Sequence, residues 1–370
     1  MKRKIAAVTS SRADFSHLYW PLHELAAHPE IDLKIVAMGP HLSPEFGHTG
    51  AEIEKAGFAI DSRIECLLSS DSDVGMAKTI GVATLGLADC LGQMRPDLLL
   101  LIADRYEMLA PASVALALRI PIAHIEGGEI SEGAIDDAVR NALTKLSHVH
   151  FTSTEKARAR VISMGEAEWR VHRAGAPSLD HLRRSPLLPP VPGQPAVIVA
   201  YHPTTIARDT LREAEALFTA LASVEGPLFF CYPNADAGSR ALITRAKEFL
   251  DRRGNGQVLV NLDPVAYWSL LRDAKFLLGN SSSGIMEAAS FGIPAVNVGI
   301  RQRGREHGSN VLDADATVDS ILARVAQATD PAFRASLTGM ENPYGDGHAA
   351  ERIAAVLASV PLGEELLIKR

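Results

Sequence analysis

The chain has 370 residues, of which 47% are hydrophobic, and carries three cysteines and a formal charge of −7. That length exceeds an ordinary single domain and predicts two, each able to bury its own core. The negative balance argues against a general nucleic-acid binder, because phosphate affinity rests on a basic surface. Cys66, Cys90 and Cys231 show neither paired spacing nor a Cys-x-x-Cys motif, so neither a disulfide framework nor a structural zinc site is expected.

At the start of the chain, Met1-Lys-Arg-Lys runs directly into Ile5–Val8, too short a core for a signal peptide. Uninterrupted apolar runs stay well below the length of a membrane span, so a cytoplasmic protein without a membrane partner is expected. Short Ile/Val/Leu-rich runs alternate with amphipathic stretches, which predicts βα units on parallel sheets. Strands are expected at 4–9, 32–37, 58–61, 97–103, 121–125, 149–152 and 170–173. The Pro-dense stretch from Ser185 to Pro195 suits neither helix nor strand and reads as a linker. Beyond it, strands are expected at 196–201, 228–231, 258–260, 275–278 and 295–298, with helices from about 208, 237, 264, 283 and 315. A last helix is expected near 348–358. The fold class is therefore α/β: two Rossmann-like, doubly wound domains facing a cleft, at 1–182 and 196–347. They are joined by the linker 183–195 and followed by a C-terminal helix and tail, 348–370. Ligands of such sheets bind outside the carboxyl ends of the strands, so residues that follow strands are the candidates for chemistry.

Two acidic motifs stand there in the first half. Asp104-Arg105-Tyr-Glu follows the strand ending near 103, and Glu126-Gly-Gly-Glu129 follows the strand ending at Ile125. A carboxylate at the end of a buried strand is costly unless paired, and Arg105 is one available partner. Asp136-Asp137 opens a helix, with Arg140 one turn after Asp136; negative charge at a helix N-terminus is also simply stabilising. The first βα turn, Thr9–Ser16, offers hydroxyls, backbone N–H groups and Arg12 to an anion. It lacks the Gly-x-Gly-x-x-Gly fingerprint, and a Walker A sequence is absent.

The second half has a sharper signal. Gly279-Asn-Ser-Ser-Ser-Gly284 follows a strand and precedes a helix containing Glu287. Small residues there allow close backbone approach, Ser281 and Ser282 supply hydroxyls for a diphosphate, and Glu287 can reach ribose hydroxyls. His202-Pro-Thr-Thr and Tyr232-Pro-Asn234 follow two further strands, and the loop from Arg301 adds positive charge. His148 and His150 alternate on a strand, but no third ligand accompanies them, so no metal is expected.

Together, Asp104-Arg-Tyr-Glu, His124-Ile-Glu-Gly-Gly-Glu129, Ile135-Asp-Asp-Ala-Val-Arg140, His202-Pro-Thr-Thr, Gly279-Asn-Ser-Ser-Ser-Gly284 and Arg301-Gln-Arg-Gly-Arg-Glu306 resemble the hydrolysing UDP-N-acetylglucosamine 2-epimerases, over roughly residues 5–310. The resemblance implies a glycosyltransferase-B-like fold and conversion of UDP-N-acetylglucosamine to UDP and N-acetylmannosamine, the entry to sialic acid synthesis. It implies acid and base roles among Asp104, Glu126 and Asp136. It places Arg12, His202, Asn234, Ser281, Ser282 and Glu287 around UDP, and Arg105, Glu129, Arg140 and Arg301 near the sugar or diphosphate. A homo-oligomer, dimer or dimer of dimers, and no cofactor complete the expectation. Glu132 departs from the animal branch of the family, beside the sugar site. The alternatives are the same reaction on UDP-2,4-diacetamido-2,4,6-trideoxyglucose on the way to legionaminic acid, a non-hydrolysing epimerase, and a glycosyltransferase of this fold. The chemistry suits the residues: a C2 proton with no adjacent carbonyl is a poor acid, so its removal has to accompany departure of UDP and leave a glycal. Hydration of that glycal then completes the inversion, and carboxylates with separated pKa values are needed.

Overall fold

Leu98–Ile102 reads Leu-Leu-Leu-Leu-Ile, and every one of these side chains is buried. A strand covered on both faces has to be apolar at each position, and this one lies at the centre of a parallel sheet. The computed structural model describes residues 2–44, 48–68, 73–103, 105–130, 135–190, 195–202, 212–231, 239–260, 262 and 264–369. It divides into two units. One comprises Met1–Glu129, Ile135–His181 and Tyr344–Arg370, the other Ile130–Ala134 and Leu182–Pro343.

In chain order the first unit contains β1 (Arg3–Thr9), α1 (Arg12–Ala27), β2 (Ile31–Met38), α2 (Gly50–Lys55), β3 (Ser62–Ile64), α3 (Asp73–Met94), β4 (Leu98–Ile102), α4 (Leu109–Leu118), β5 (Ile122–Ile125), α5 (Ile135–Leu146), β6 (Val149–Thr152), α6 (Glu155–Ser163), β7 (Val171–Arg173) and α7 (Pro177–Arg184), whose last residues pass into the second. The second contains β8 (Val197–Ala200), α8 (Arg212–Leu221), β9 (Leu228–Cys231), α9 (Ser239–Arg253), β10 (Gly256–Leu259), α10 (Pro264–Arg272), β11 (Phe276–Gly279), α11 (Glu287–Ser290), β12 (Ala295–Val298), β13 (Val311–Ala314), α12 (Val318–Thr329) and α13 (Pro331–Ser336). The chain then returns to the first unit as α14 (Ala349–Ser359) and α15 (Glu364–Leu367).

The sheets have the orders β3-β2-β1-β4-β5-β6-β7 and β10-β9-β8-β11-β12-β13, and every pairing is parallel. Each order reverses between its first and fourth strands, which opens a crevice at the ends of β1 and β4 and, separately, of β8 and β11. Alternation along β1 sorts the two faces. Ile5 and Ala7 join Leu98, Leu100 and the α1 residues Leu18, Leu22 and Leu25 in one core; Ala6 and Val8 join Leu99, Leu101 and the α3 residues Ala83, Leu87 and Leu91 in the other.

The C-terminal segment belongs to the first of these cores. Ile353, Ala354 and Leu357 of α14 pack against it, and Asp180 caps the helix by accepting from the Ala349 and Ala350 N–H groups at 2.9 and 3.1 Å. Further on, the buried Arg170 guanidinium donates to the carbonyls of Glu365, Leu366 and Ile368. Lys369 Nζ donates to the carbonyls of Lys145 and Ser147 at the end of α5 and meets Glu166 at 2.8 Å.

Several expectations shift. The strand expected at 58–61 lies instead at Ser62–Ile64, because Phe58 and Ile60 turn into the core as irregular chain and pairing with β2 begins only when the Asp61 N–H donates to the Ile35 carbonyl. The helix expected from 283 starts at Glu287, after a single 3-10 turn over Ser282–Gly284. Strand β13 and helices α13 and α15 were not foreseen. Helix α3 is long and apolar enough to cross a membrane by length and composition. Interspersed Gly, Thr and Lys break up its apolar run, and in the fold it buries Ala83, Leu87 and Leu91 and exposes Val82 and Leu85.

Candidate functional site

In the first unit the crevice is lined by charge. Ser11 caps α1 by accepting from the Asp14 N–H, while the buried Asp14 accepts from the Ser10 hydroxyl at 2.6 Å and the Ser10 N–H at 3.2 Å. This reciprocal cap closes the first βα turn. Burial pushes the Asp14 carboxyl up, against the hydrogen bonds from Ser10 and the nearby Arg105. Arg12 projects from the same turn, exposed, with Glu52 at 3.6 Å. His41 fills the space beside β1, with Thr9 Oγ1 and Thr49 Oγ1 at 2.9 and 2.8 Å from its ring nitrogens. Burial, together with Arg105, lowers it to about 4, so it is neutral at pH 7.

The residues that end β4 and β5 are unusual in their backbone. Ala103 has φ +60° and Glu126 φ +66°, both left-handed for side chains that disfavour it at a cost of about 1–2 kcal/mol each. Both are locked by ladder bonds continued past the strand, from Ala103 N–H to the Ile125 carbonyl (3.0 Å) and from Glu126 N–H to the Phe151 carbonyl (2.8 Å). His124 adds a third lock, its Nε2–H donating to the Ala103 carbonyl at 2.8 Å. Complete burial lowers this imidazole to about 4. The result turns the Glu126 side chain out of the sheet toward α1, where the Nδ1–H of His17 donates to its Oε1 at 2.8 Å. Asp104, between Ala103 and Arg105, lies outside the described residues. Arg105 is claimed by Glu107, with Nη2 donating to Oε1 at 2.6 Å and the Glu107 side chain wholly buried. Burial opposes the Arg105 cation, but Glu107 and Asp14 outweigh it and keep it charged.

The Gly127-Gly128 pair has a packing cause. Gly128 has φ +81°, and a Cβ there would come within 2.4 Å of the Ala157 carbonyl oxygen on α6. That close approach brings Glu129 into the interior, where its carbonyl accepts from Nη1 of the buried Arg140 at 2.9 Å. Asp136 and Asp137 both stand in the first turn of α5, half-buried. Arg140 forms an ion pair with Asp137 at 3.7 Å, and Asp137 also meets Arg160 at 3.5 Å. Arg140 thus ties the helix start to the loop after β5. His148 and His150 are structural: the His148 ring accepts from the Ile122 N–H, and His150 pairs with the buried Glu166.

The crevice of the second unit is built from backbone. Gly279 has φ +149°, and a Cβ there would lie 2.0 Å from the Ala200 carbonyl oxygen, so β8 and β11 touch at a point only glycine allows. Next to it the fully buried Asn280 clamps the end of β8: its Oδ1 accepts from the His202 N–H at 2.7 Å and its Nδ2 donates to the His202 carbonyl at 2.8 Å. The Asn280 carbonyl in turn accepts from Arg301 Nη1 and Gln302 Nε2, each at 3.0 Å. Ser281 caps the following 3-10 turn, and Ser281 to Ser283 remain half-buried. The Ser283 hydroxyl pairs with that of Tyr267 on α10. Glu287 opens α11. Burial, then Arg301, lowers His202 to about 4. Asn234 lies outside the described residues, as does the chain after His202 to residue 211. Small residues, a helical turn and a nearby arginine make this crevice suited to an anion.

Both units are parallel, doubly wound sheets, with a carboxylate at the crevice of one and an amide-and-hydroxyl turn at that of the other. The UDP-N-acetylglucosamine 2-epimerase family model matches residues 23–358, and the chain belongs to that family. It is 36% identical over 380 aligned positions, covering 100% of this chain and 99% of the relative, to the hydrolysing UDP-N,N'-diacetylbacillosamine 2-epimerase of Legionella pneumophila. It is 35% identical, covering 85% of each chain, to the hydrolysing GDP/UDP-N,N'-diacetylbacillosamine 2-epimerase of Campylobacter jejuni. Its fold matches the Neisseria meningitidis UDP-GlcNAc 2-epimerase structure bound to UDP-GlcNAc with a TM-score of 0.73, at 18% identity, over 96% of this chain and 99% of that one. Family and fold class are therefore as the motifs suggested.

Sequence reasoning missed four polar residues around these crevices: His17, Asp14, Glu107 and Tyr267. Each reaches its partner across the fold or from inside a motif whose other members drew notice. Asn280 stands inside the Gly279–Gly284 motif, where the flanking Gly279 signals a close backbone approach.

Proposed function

We propose that this enzyme is a hydrolysing 2-epimerase that converts a UDP-activated 2,4-diacetamido-2,4,6-trideoxyhexose into UDP and the free sugar inverted at C2. The reading is supported chiefly by the match of 100% and 85% of the chain to two hydrolysing relatives named for diacetylbacillosamine, which is 2,4-diacetamido-2,4,6-trideoxyglucose. UDP-N-acetylglucosamine, the expectation from the motifs, is the second reading, favoured by the family's own description. Both sugars present the same C1 and C2 to the enzyme and differ at C4 and C6.

In the proposed mechanism UDP leaves from C1 as a carboxylate removes the C2 proton, giving a glycal. Protonation at C2 from the opposite face and addition of water at C1 then release the sugar. Asp104, Glu126 and Asp136 share the proton transfers. Arg12, His202, Asn234, Ser281, Ser282 and Glu287 hold the nucleotide, and Arg105, Glu129, Arg140 and Arg301 face the sugar and diphosphate. The leaving diphosphate needs fixed positive potential and hydrogen-bond donors, for which Arg301 and the half-buried Ser282 are suited. Glu126 is suited to proton transfer because its left-handed backbone aims the carboxylate out of the sheet.

Proton NMR in heavy water with each UDP-sugar separately is the test. Release of UDP with a C2-deuterated manno-configured sugar from the diacetamido substrate supports the first reading, and the same from UDP-N-acetylglucosamine alone supports the second. Absence of UDP and of C2 exchange with either would remove the proposed reaction.

A further inference from the structure

Glu126 is steadied from outside its own strand. Its partner His17 stands on α1, 109 positions away in the chain, at 2.8 Å. The Glu126 side chain is 13% exposed and that of His17 32% exposed, so the pair lies where the interior meets the crevice. A glutamate has three side-chain torsions, and its left-handed backbone fixes only the direction in which they begin. A carboxylate that must take and return a proton at one carbon has to be held more closely than that.

We infer that His17 is the positioning residue for Glu126. Its Nδ1–H fixes the carboxylate oxygen against α1, the same helix whose N-terminal turn carries Arg12 and the Ser11–Asp14 cap. The inference rests on the proposed acid–base role of Glu126. An imidazole suits the task because it can donate from Nδ1 whether neutral or protonated. The nearby imidazole on β5, His124, is engaged elsewhere, since it donates to the Ala103 carbonyl and burial keeps it neutral. His150, Arg140 and Glu126 all act on His124 through space. Geometry held by a donor at the Nδ1 position predicts a particular pattern: asparagine, whose amide nitrogen occupies nearly that place, substitutes for histidine, and leucine does not.

The test compares His17→Leu and His17→Asn with the native enzyme on the UDP-sugar it turns over. His17→Leu is expected to lower kcat by about 10- to 100-fold with KM and UDP affinity within about threefold. His17→Asn is expected to restore kcat to within about fivefold of native while the pH profile of kcat moves, because the partner no longer titrates. An unchanged kcat in His17→Leu overturns the inference, as does an asparagine variant as poor as leucine. Histidine-labelled NMR titrations of native protein and Glu126→Gln add a readout free of turnover: the His17 ring is expected to titrate lower once the carboxylate is gone. An unmoved His17 titration overturns the pairing even where a leucine variant fails to fold. If native enzyme turns over neither sugar, the proposed reaction falls, while this titration still decides the pairing.

Discussion

The two crevices are built at equivalent places in two similar sheets, yet from different materials. After β5 the first unit sets the ionisable Glu126 on strained, left-handed backbone, with His17 on its carboxylate, His124 on the neighbouring Ala103 carbonyl and Arg140 on that of Glu129. After β8 and β11 the second unit uses a glycine contact, an asparagine clamp and a serine turn, with its nearest imidazole kept neutral by burial. Side chains that exchange protons need adjustable pKa values, whereas a diphosphate is held by donors whose state does not change with pH. In the function we propose, this difference places the proton chemistry in the first unit and most of the nucleotide contacts in the second.

Substitutions that separate turnover from binding would break or sharpen this division. The largest effect is expected for Glu126→Gln, with a loss of at least about 10³-fold in kcat and UDP affinity within a few fold by calorimetry; lost UDP binding would assign the residue to the second role. Gly279→Ala, whose Cβ would fall 2.0 Å from the Ala200 carbonyl oxygen, is expected to destabilise the protein by roughly 3 kcal/mol or more, read from urea denaturation. An unperturbed midpoint would mean that β8 and β11 do not touch there.

Glu166→Gln probes the scaffold behind the proton-transfer side and is expected to have a comparable but pH-dependent effect. Burial would raise this carboxyl, yet hydrogen bonds from His150, Lys145 and Lys369 outweigh it and hold it at about 2. A folded pKa below the ordinary carboxylate value stabilises the fold above about pH 4.5 and loses that contribution as pH falls toward 2. The variant should therefore lose on the order of 3 kcal/mol at pH 7 and much less near pH 3. Equal losses at both would show that the carboxylate's charge is irrelevant. Smallest is Ser282→Ala, expected to weaken UDP by about fivefold, near 1 kcal/mol, with kcat unchanged; unaltered affinity would remove Ser282 from the nucleotide side.

Much of this architecture was legible because parallel strands buried on both faces leave continuous apolar runs. Leu98–Ile102 and Val197–Ala200 could hardly be anything else. Strand β3 was misplaced because Phe58 and Ile60 serve the core from irregular chain, where apolarity and strand pairing separate. Of the candidate residues, those following strands could be read as a class, since the fold places chemistry there. Their partners could not. The pairing of Glu126 with His17 spans 109 positions, and that of Asp137 with Arg160 joins two different helices.

The return of α14 and α15 to the first unit has a consequence for synthesis. Ile353, Leu357 and Leu366 belong to the same core as Ile5 and Leu98, so the first unit's sheet lacks part of its packing until α14 and α15 have been made. The second unit, by contrast, draws nearly all of its residues from Leu182–Pro343 and can close while the first is still waiting. A nascent chain halted before residue 349 should expose an unfinished apolar face to chaperones even though every strand of both sheets has already been made.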